Sequence, residues 1–270
     1  MQQILYMSQR YFIRFAYDGT AYHGWQIQPN AVSVQGVMTE KLQKLFGPEF
    51  HLVAAGRTDT GVHAREMFAH FDVPQAIEDQ TLFAQKLDGM MPKDITVFDV
   101  VPVNSRAHAR FDAISRTYEY WIGFHKDPFL ERFFLRMHRV PDFDLMNAAA
   151  KALFDYIDFT SFSKLHTDVK TNNCQIRQAF WEQRGDYWVF TIQADRFLRN
   201  MVRSIVGTLL DVGWRKLSLE DFRLIIERKD RCAAGSSMPA QGLFLTRVAY
   251  PDWIYDLTHV EKDLTVQEDC

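Results

Sequence analysis

Cysteine is scarce in this chain of 270 residues, which contains only Cys174, Cys232 and Cys270. The three thiols are far apart in sequence and form no Cys-x-x-Cys pair, the spacing typical of zinc sites and redox motifs. We therefore expect reduced thiols in a cytoplasmic protein rather than a disulfide framework. The sequence also has no run of eighteen apolar residues and no basic N-terminal segment leading into an apolar one. We expect neither a membrane span nor a signal peptide.

Sequence motifs for common cofactors are missing as well. The chain contains neither a phosphate-binding loop of the Walker type nor a Gly-x-Gly-x-x-Gly fingerprint, which argues against nucleotide-driven and dinucleotide-dependent chemistry. Its nine histidines include no His-Glu-x-x-His motif and no paired spacing, so we predict no metal site. Any catalysis would then depend on the chain's own side chains.

The net charge of −3 is unevenly distributed. From residue 252 to residue 270 six acids and one base give −5, so residues 1–251 carry +2. Within that body two groups of arginines stand close together in sequence: Arg106, Arg110 and Arg116, then Arg196, Arg199 and Arg203. A mildly acidic protein can therefore carry a local basic cleft suited to nucleic acid, although exposed arginines are also common on any solvated surface.

Hydrophobic periodicity predicts an alternation of strands and helices. In the first half we expect strands at 11–17, 50–55, 67–73 and 95–103, a helix at 34–46 capped by Ser33, and a helix after Asp79. In the second half we expect strands at 116–124, 174–183, 187–195 and 243–250, a helix starting near Asp142, a long helix at 197–213, and a helix opened by Ser218. The element order is βαββαβ and then βαββα(α)β, which repeats the ferredoxin-like pattern.

We therefore predict an α+β fold in which two ferredoxin-like (RRM-like) βαββαβ halves dock rigidly and join their sheets. The expected domains are 1–107, which carries the central loop described next, and 108–251, followed by an acidic tail at 252–270. No Pro- or Gly-rich linker separates the halves near residues 103–112. The tail is expected to be solvated and partly mobile, and a groove along the joined sheets would suit a nucleic-acid strand.

The loop after the strand ending at Ala55 holds the most informative residues of the chain. Its sequence from Gly56 contains Arg57 and Asp59 and leads to His63, so a guanidinium, a carboxylate and an imidazole lie within seven residues. Two glycines and an Asp-Thr-Gly step predict a tight loop whose shape is set by the backbone. For an arbitrary Asp-Thr-Gly the ordinary interpretation is a hairpin turn in which the aspartate caps its own backbone.

The stretch Gly56-Arg57-Thr58-Asp59-Thr60-Gly61-Val62-His63-Ala64 resembles the central motif of the TruA family of tRNA pseudouridine synthases. Four further blocks stand in the family's order: Tyr17-Asp18-Gly19 with Gly24-Trp25-Gln26; His108-Ala109-Arg110-Phe111 with Arg116-Thr117-Tyr118-Glu119-Tyr120; Phe197-Leu198 with Met201-Val202-Arg203 and Ile205-Val206-Gly207; and Gly242-Leu243-Phe244-Leu245. The resemblance runs from about residue 11 to residue 251, departs from the family at Phe244, where Tyr is common, and leaves the acidic tail outside.

The resemblance implies the pseudouridine synthase fold and the isomerisation of uridine to pseudouridine at positions 38, 39 and 40 in the anticodon stem-loop of tRNA. It also implies a homodimer, a tRNA partner bound through its anticodon arm, and no cofactor. By the match, Asp59 is the catalytic carboxylate, Arg203 pairs with it, Tyr118 contacts the target nucleotide, and Arg57 occupies the space left by the displaced base. The remaining site residues that we predict are Leu245 for substrate binding and Arg110, Lys164 and His63 for RNA binding.

This chemistry needs an ionised carboxylate, which an arginine within about 4–6 Å favours. Asp59 could attack the sugar, attack the base or abstract a proton from the ribose, and the sequence does not distinguish these routes. The target base must leave its stack, at a cost of roughly a few kcal/mol that stacking on an aromatic ring can offset. From the residues alone, Tyr118 is more typical of a core position and Arg203 of a structural ion pair, while His63 could either orient the loop or touch phosphate.

Two other functions remain open at this point. A non-catalytic RNA-binding module would have the same RRM-like halves and surface aromatics without needing Asp59. A carboxylate-based glycoside or phosphate hydrolase would need a second acid placed to donate a proton, or a bound magnesium ion. The central loop instead offers Arg57 and His63 as neighbours of Asp59, which favours the synthase.

Overall fold

The computed structural model describes residues 8–164 and 171–257. Its strands are β1 (Gln9–Tyr17), β2 (Val53–Ala54), β3 (His63–Val73), β4 (Ile95–Pro102), β5 (Ser115–Gly123), β6 (Leu135–Arg136), β7 (Ile176–Arg184), β8 (Tyr187–Ala194) and β9 (Leu243–Ala249). Its α-helices are α1 (Val34–Phe46), α2 (Gln80–Met90), α3 (Phe143–Ala152), α4 (Met201–Gly213) and α5 (Leu219–Arg228). The longest have 13 residues, and no helix in the described ranges is long and apolar enough to cross a bilayer.

The strands form one mostly antiparallel sheet in the order β4-β1-β3-β9-β5-β8-β7, with β2 beside β3 and β6 beside β5. The prediction of a mixed α+β fold is confirmed. The sheet is continuous across the boundary that we expected between residues 107 and 108. The division into two ferredoxin-like halves stays a prediction.

The last strand of the chain lies in the middle of the sheet. β9 pairs in parallel with β3, where His63 is opposite Phe244 and Ala64 is opposite Leu245. Its other edge pairs antiparallel with β5. Since β3 belongs to the first half of the chain and β5 to the second, the backbone hydrogen bonds of β9 join the two halves.

Buried apolar side chains form two clusters. One gathers residues from β1, β3, α1 and α2, such as the fully buried Phe15 and Leu87. The other gathers residues from β7, β8 and α3 to α5, such as the fully buried Phe190 and Ile205. Tyr118 on β5 is partly buried and packs against both clusters. The two apolar clusters therefore meet at β5 and β9.

The helix-start signals of the sequence form the expected caps. The side chains of Ser33, Asp79 and Asp142 each accept a hydrogen bond from a backbone N–H in the first turn of α1, α2 and α3. Ser218 and Asp221 form a reciprocal capping box at the start of α5. These caps satisfy backbone N–H groups that would otherwise lack a partner at the helix ends.

Helix α4 departs from the prediction at its N-terminal end. We expected it to start at Phe197, but it starts at Met201. Asn200 has φ of 66°, a left-handed conformation that interrupts the helix. Residues 197–200 form a turn instead, in which Met201 N–H donates to the carbonyl of Leu198 (3.1 Å).

Two strand predictions also need correction. The strand expected at 50–55 is reduced to β2, two residues that pair with His70 and Ala69. Phe50 and Leu52 are buried without joining a strand, so their apolar character reflects core packing rather than sheet pairing. Between the strand expected at 116–124 and the helix expected near Asp142 no strand was predicted, yet the short strand β6 lies there and pairs in parallel with β5.

The start of the predicted acidic tail is packed against the body of the protein. Ile254 lies in a short 3-10 helix, Asp252–Tyr255, is fully buried and belongs to the first apolar cluster. The N–H of Asn104 donates to the carbonyl of Ile254 (2.8 Å), and the Asn104 side chain donates to the carbonyl of Asp256 (3.2 Å). Residues 252–256 therefore contact the body of the protein, and the boundary at residue 251 stays a prediction. Residues 258–270 of the predicted tail lie outside the described ranges.

Replacing Ile254 with Ala should destabilise the protein by about 2–5 kcal/mol, because it removes a fully buried side chain from the core. A thermal melt should then show Tm lowered by at least about 4 °C. Leu257→Ala is the matched control, since Leu257 is 41% exposed and its loss should change stability by no more than about 0.5 kcal/mol. Equal melting temperatures for wild type and Ile254→Ala would mean that this C-terminal segment is not docked in solution.

Candidate active site

The loop between β2 and β3 is held in shape by an earlier segment of the chain. The N–H of Trp25 donates to the carbonyl of Thr58 (3.2 Å), and the N–H of Gly61 donates to the carbonyl of Tyr22 (3.3 Å). Gly24 has φ of +86°, and a Cβ at this position would lie 2.4 Å from the Thr58 carbonyl oxygen. Such a close approach of two backbones requires glycine. The segment that contains Gly24 therefore packs with its backbone directly against the backbone of the loop.

Further contacts fix the loop on both sides of Asp59. The hydroxyl groups of Tyr17 and Thr58 are 2.8 Å apart and buried. A Cβ on Gly19 would lie 2.0 Å from the carbonyl oxygen of Val62, so this side of the loop also packs on bare backbone. The N–H of Val62 donates to the main-chain carbonyl of Asp59 (3.1 Å), which closes the turn. The turn is thus formed without its carboxylate, which is directed to partners outside the loop.

Two arginines face the carboxylate of Asp59, one at each oxygen. Arg203 Nη1 lies 3.5 Å from Oδ2, and Arg199 Nε lies 3.7 Å from Oδ1. Arg203 is anchored, because its Nε donates to the carbonyl of Met238 (2.5 Å) and its side chain is only 21% exposed. The side chain of Arg199 is 59% exposed. The carboxylate is therefore balanced by one fixed cation and one cation that solvent can reach.

Asp59 borders a cleft of about 1680 Å³. Nine basic side chains line this cleft: Arg57, Arg110, Arg116, Lys164, Arg177, Arg196, Arg199, Arg203 and Arg231. Among the described residues that line it, the carboxylates are those of Asp59 and Asp195. A chain with a net charge of −3 thus carries a strongly basic cleft, a feature typical of nucleic-acid binding. In the described ranges, no three His, Cys, Asp or Glu side chains converge on a point where they could hold a metal ion.

Tyr118 and Leu245 form part of the cleft wall beside Asp59. They are directly paired across β5 and β9. The ring of Tyr118 contacts Phe197 edge-on, with ring centroids 5.2 Å apart. Burial raises the pKa of Tyr118 to about 12, against the opposing charge of Arg116 and with a smaller raising contribution from the charge of Asp59. The Tyr118 hydroxyl therefore keeps its proton at neutral pH and can donate it to a ligand.

The predicted phosphate contacts are brought together in the same cleft. Arg57, Arg110 and Lys164 are all exposed and line it. Arg116 lines the cleft too, but its guanidinium donates to the backbone carbonyls of four residues: Ala113, Asp195, Ala55 and Arg110. Arg116 is thus a structural residue that ties the loop before β3 to the start of β5 and the end of β8.

His63 lies in a position that suits only one of its two predicted roles. The residue is 1% exposed, so it has no surface to offer a phosphate group. Its Nδ1 accepts a hydrogen bond from Gly19 N–H (3.0 Å), and its Nε2 lies 3.1 Å from the carbonyl of Gln241. Burial, the largest effect, lowers the pKa of His63 despite the nearby carboxylate of Asp18. His63 links three segments and so orients the loop, while its contact with RNA stays a prediction that this buried position does not favour.

Sequence reasoning missed Arg199 as a partner of Asp59. Its signal was present, since Arg199 and Arg203 are four residues apart and residues at this spacing share a helix face. The structure brings both to Asp59 although Arg199 precedes α4. Met238 was also missed, because its contribution is a main-chain carbonyl, which no side-chain pattern reveals.

Comparisons with known proteins agree on one family. A family model described as tRNA pseudouridine synthase matches residues 13–112 and 149–251. The tRNA pseudouridine synthase A of Parabacteroides distasonis is 56% identical over 247 residues, which cover 92% of this chain and 98% of that protein. The protein of the same name from Porphyromonas gingivalis is 54% identical over 250 residues, 91% of this chain and 99% of its own. The protein of that name from Bacillus licheniformis is 38% identical over 239 residues, which cover 87% of this chain and 96% of that protein.

The free energy of unfolding of Gly24→Ala should be about 1–3 kcal/mol lower than that of the wild type, because the new Cβ meets the Thr58 carbonyl at a positive φ. Urea denaturation measures the change. Gly89→Ala is the matched control, since no atom lies within 4 Å of a Cβ at this position in α2 and Ala is the better helix former. We expect the control to be as stable as the wild type or slightly more stable. A Gly24→Ala variant that matches the control would contradict the packing of the two backbones.

Proposed function

Because the chain belongs to the tRNA pseudouridine synthase family, whose reaction is an isomerisation, we propose that it acts on tRNA uridines 38, 39 and 40 in the anticodon stem-loop. In this proposal Asp59 is the essential carboxylate and no cofactor takes part. The observation that carries it is the position of Asp59, on a rigid loop between two arginines at the wall of a basic cleft. The proposal includes a cytoplasmic location, where the anticodon arm of tRNA would be the partner.

The reaction balances without any co-reactant. The bond from N1 of uracil to C1′ of the ribose breaks, the base turns, and a bond from C5 to C1′ forms. The hydrogen at C5 leaves as a proton and N1 gains one, so nothing is oxidised or reduced. A carboxylate can start this sequence as a nucleophile on the sugar, as a nucleophile on the base, or as a base that takes a proton from the ribose. Each route needs Asp59 within reach of the displaced nucleotide.

The neighbours of Asp59 are suited to hold that nucleotide. In our proposal the protonated hydroxyl and ring of Tyr118 contact the uracil, and the side chain of Leu245 provides an apolar surface beside it. Arg57 precedes Asp59 on the loop and is exposed, so it can enter the space that the base leaves in the stem. Arg203 keeps the carboxylate in place through its anchored guanidinium.

A hydrolase mechanism is disfavoured by the second carboxylate of the cleft. Asp195 Oδ1 accepts hydrogen bonds from two backbone N–H groups, those of Gln175 (2.7 Å) and Arg196 (2.8 Å). Asp195 is thereby an acceptor for the main chain, which is a structural role. It is poorly suited to donate a proton to a leaving group, as a glycoside hydrolase requires.

We also propose that the enzyme works as a homodimer. An apolar pocket of about 220 Å³ supports an interface away from the active-site cleft. Its walls are formed by Arg65, Trp121, Leu130, Phe133, Phe134, Tyr187 and Phe244. The guanidinium of Arg65 lies 5.0 Å from the ring centroids of both Trp121 and Phe244. Aromatic residues and arginine are enriched in the core of protein interfaces, and both types line this pocket.

Asp59→Asn should lower the rate of pseudouridine formation by at least about 100-fold, because the amide can neither attack nor accept a proton as a carboxylate does. The measurement is tritium release from tRNA labelled at C5 of uridine. Affinity for tRNA should stay within a few-fold of the wild type, since the charge removed is negative. Asp186→Asn, an exposed carboxylate in the β7–β8 turn, is the control and should keep full activity. Substantial activity of Asp59→Asn would remove Asp59 from the chemical step.

Binding of tRNA should weaken steeply with salt, because each phosphate contact releases a counterion. Titrations from 50 to 300 mM salt measure the slope of the logarithm of the binding constant against the logarithm of the salt concentration. In Arg110→Ala or Lys164→Ala the magnitude of this slope should be about one unit smaller than in the wild type. Lys44→Ala, which removes an exposed lysine outside the cleft lining, is the control and should keep the wild-type slope. A flat salt dependence of the wild type would contradict a phosphate-binding cleft.

A further inference from the structure

An exposed aromatic ring stands in the basic cleft without a role in the chemistry described above. Phe111 lines the cleft and is 73% exposed. Single exposed phenylalanines are common on protein surfaces and need no explanation by themselves. Phe111 differs from these in two respects, namely its rigid support and its cationic surroundings.

Several hydrogen bonds within the segment from His108 to Asp112 hold its backbone in place. The Nδ1 of His108 accepts from the N–H groups of both Arg110 (3.1 Å) and Phe111 (3.2 Å). Asp112 Oδ2 accepts from His108 N–H (2.6 Å), and Asp112 N–H donates back to the carbonyl of His108 (3.1 Å). The guanidinium of Arg116 donates to the carbonyl of Arg110 (2.5 Å). The backbone that carries the Phe111 ring is therefore fixed before any ligand binds.

The imidazole of His108 also supports the ring directly. The ring centroids of His108 and Phe111 are 4.2 Å apart, and His108 packs in turn on His70 at 4.6 Å. The Nδ1 of His70 accepts from the N–H of Ala109 (3.1 Å), so the support continues into β3. Burial of His108 lowers its pKa, which keeps its Nδ1 available as an acceptor. Phe111 is thus a preorganised surface, and a rigid surface loses little entropy when it binds.

The surroundings of the ring indicate what it binds. The guanidinium of Arg110 lies 5.6 Å from the centroid of the Phe111 ring. The pKa of Arg110 is lowered by burial first and then by the positive charges of Arg57 and Arg196, which places several cations around the ring. An apolar protein segment would gain little from so many cations. A nucleotide, with an aromatic base and an anionic phosphate, matches both features.

We propose that Phe111 is a stacking platform for an unpaired nucleobase next to the target uridine, and that Arg110 binds the phosphate of the same nucleotide. This inference rests on the proposed function in taking tRNA as the ligand. The platform contributes to holding the anticodon loop open in the cleft while Asp59 acts on another nucleotide. Phe111 is a binding residue, and its loss affects the affinity for tRNA rather than the chemical step.

The test compares Phe111→Ala, Phe111→Leu and Phe111→Trp with the wild type in binding a fluorescently labelled, unmodified tRNA transcript. Loss of one stacked base should weaken binding at least about fivefold in the Ala variant. The Leu variant, which keeps apolar bulk without a ring, should lose most of the same affinity, and the Trp variant should retain it. Phe129→Ala is the matched control, since Phe129 is 87% exposed and lies outside the cleft lining.

Two readouts separate stacking from a structural effect. Phe111→Ala should keep the salt slope of the wild type, because it removes no charge, and in tritium release it should raise KM for tRNA more than it lowers kcat. Wild-type affinity in Phe111→Ala or in Phe111→Leu would overturn the proposal, as would an equal loss in Phe129→Ala. If the wild type binds tRNA without releasing tritium, the proposed function is wrong. The affinities of the Phe111 variants for tRNA would still show whether Phe111 stacks on a base.

Discussion

The structure depends on directing one carboxylate away from its own backbone and toward two arginines. An aspartate in a tight Asp-Thr-Gly turn ordinarily caps that turn, and a capped Asp59 would have few lone pairs left for chemistry. Here the turn is closed by main-chain hydrogen bonds and by the packing of Gly19 and Gly24 against it. The two oxygens of Asp59 face Arg203 and Arg199 instead. The rigidity of the loop is what leaves the side chain available.

The sheet explains how residues from distant parts of the chain meet at this carboxylate. Because β9 is inserted between β3 and β5, the loop before β3 lies beside Tyr118 on β5 and Leu245 on β9. The same insertion places the turn before α4, with Arg199, opposite the loop. Two packed units meet above these strands, and the basic cleft is the space between them. The site is therefore a property of the joined sheet and belongs to neither half alone.

Much of this arrangement could be predicted from the sequence, and the failures have physical causes. Periodicity found the main strands and the caps at Ser33 and Ser218, because these depend on local side-chain patterns. The start of α4 was missed because Asn200 adopts a left-handed conformation, which hydrophobic periodicity does not reveal. The sequence left open whether His63 orients the loop or touches phosphate, because its burial depends on β9, which is remote in sequence. Interactions through main-chain carbonyls, such as that of Met238, leave no trace in residue types.

The central position of the final strand has a consequence for how the protein is made. A ribosome synthesises the chain from its N-terminus, so the edges of β3 and β5 stay unpaired until residues 243–249 emerge from the exit tunnel. The central loop, Tyr118 and α4 all exist before that moment, but nothing yet holds them around a common space. An interrupted translation product would consequently expose two open strand edges, which are templates for pairing with other chains, and would possess no assembled cleft.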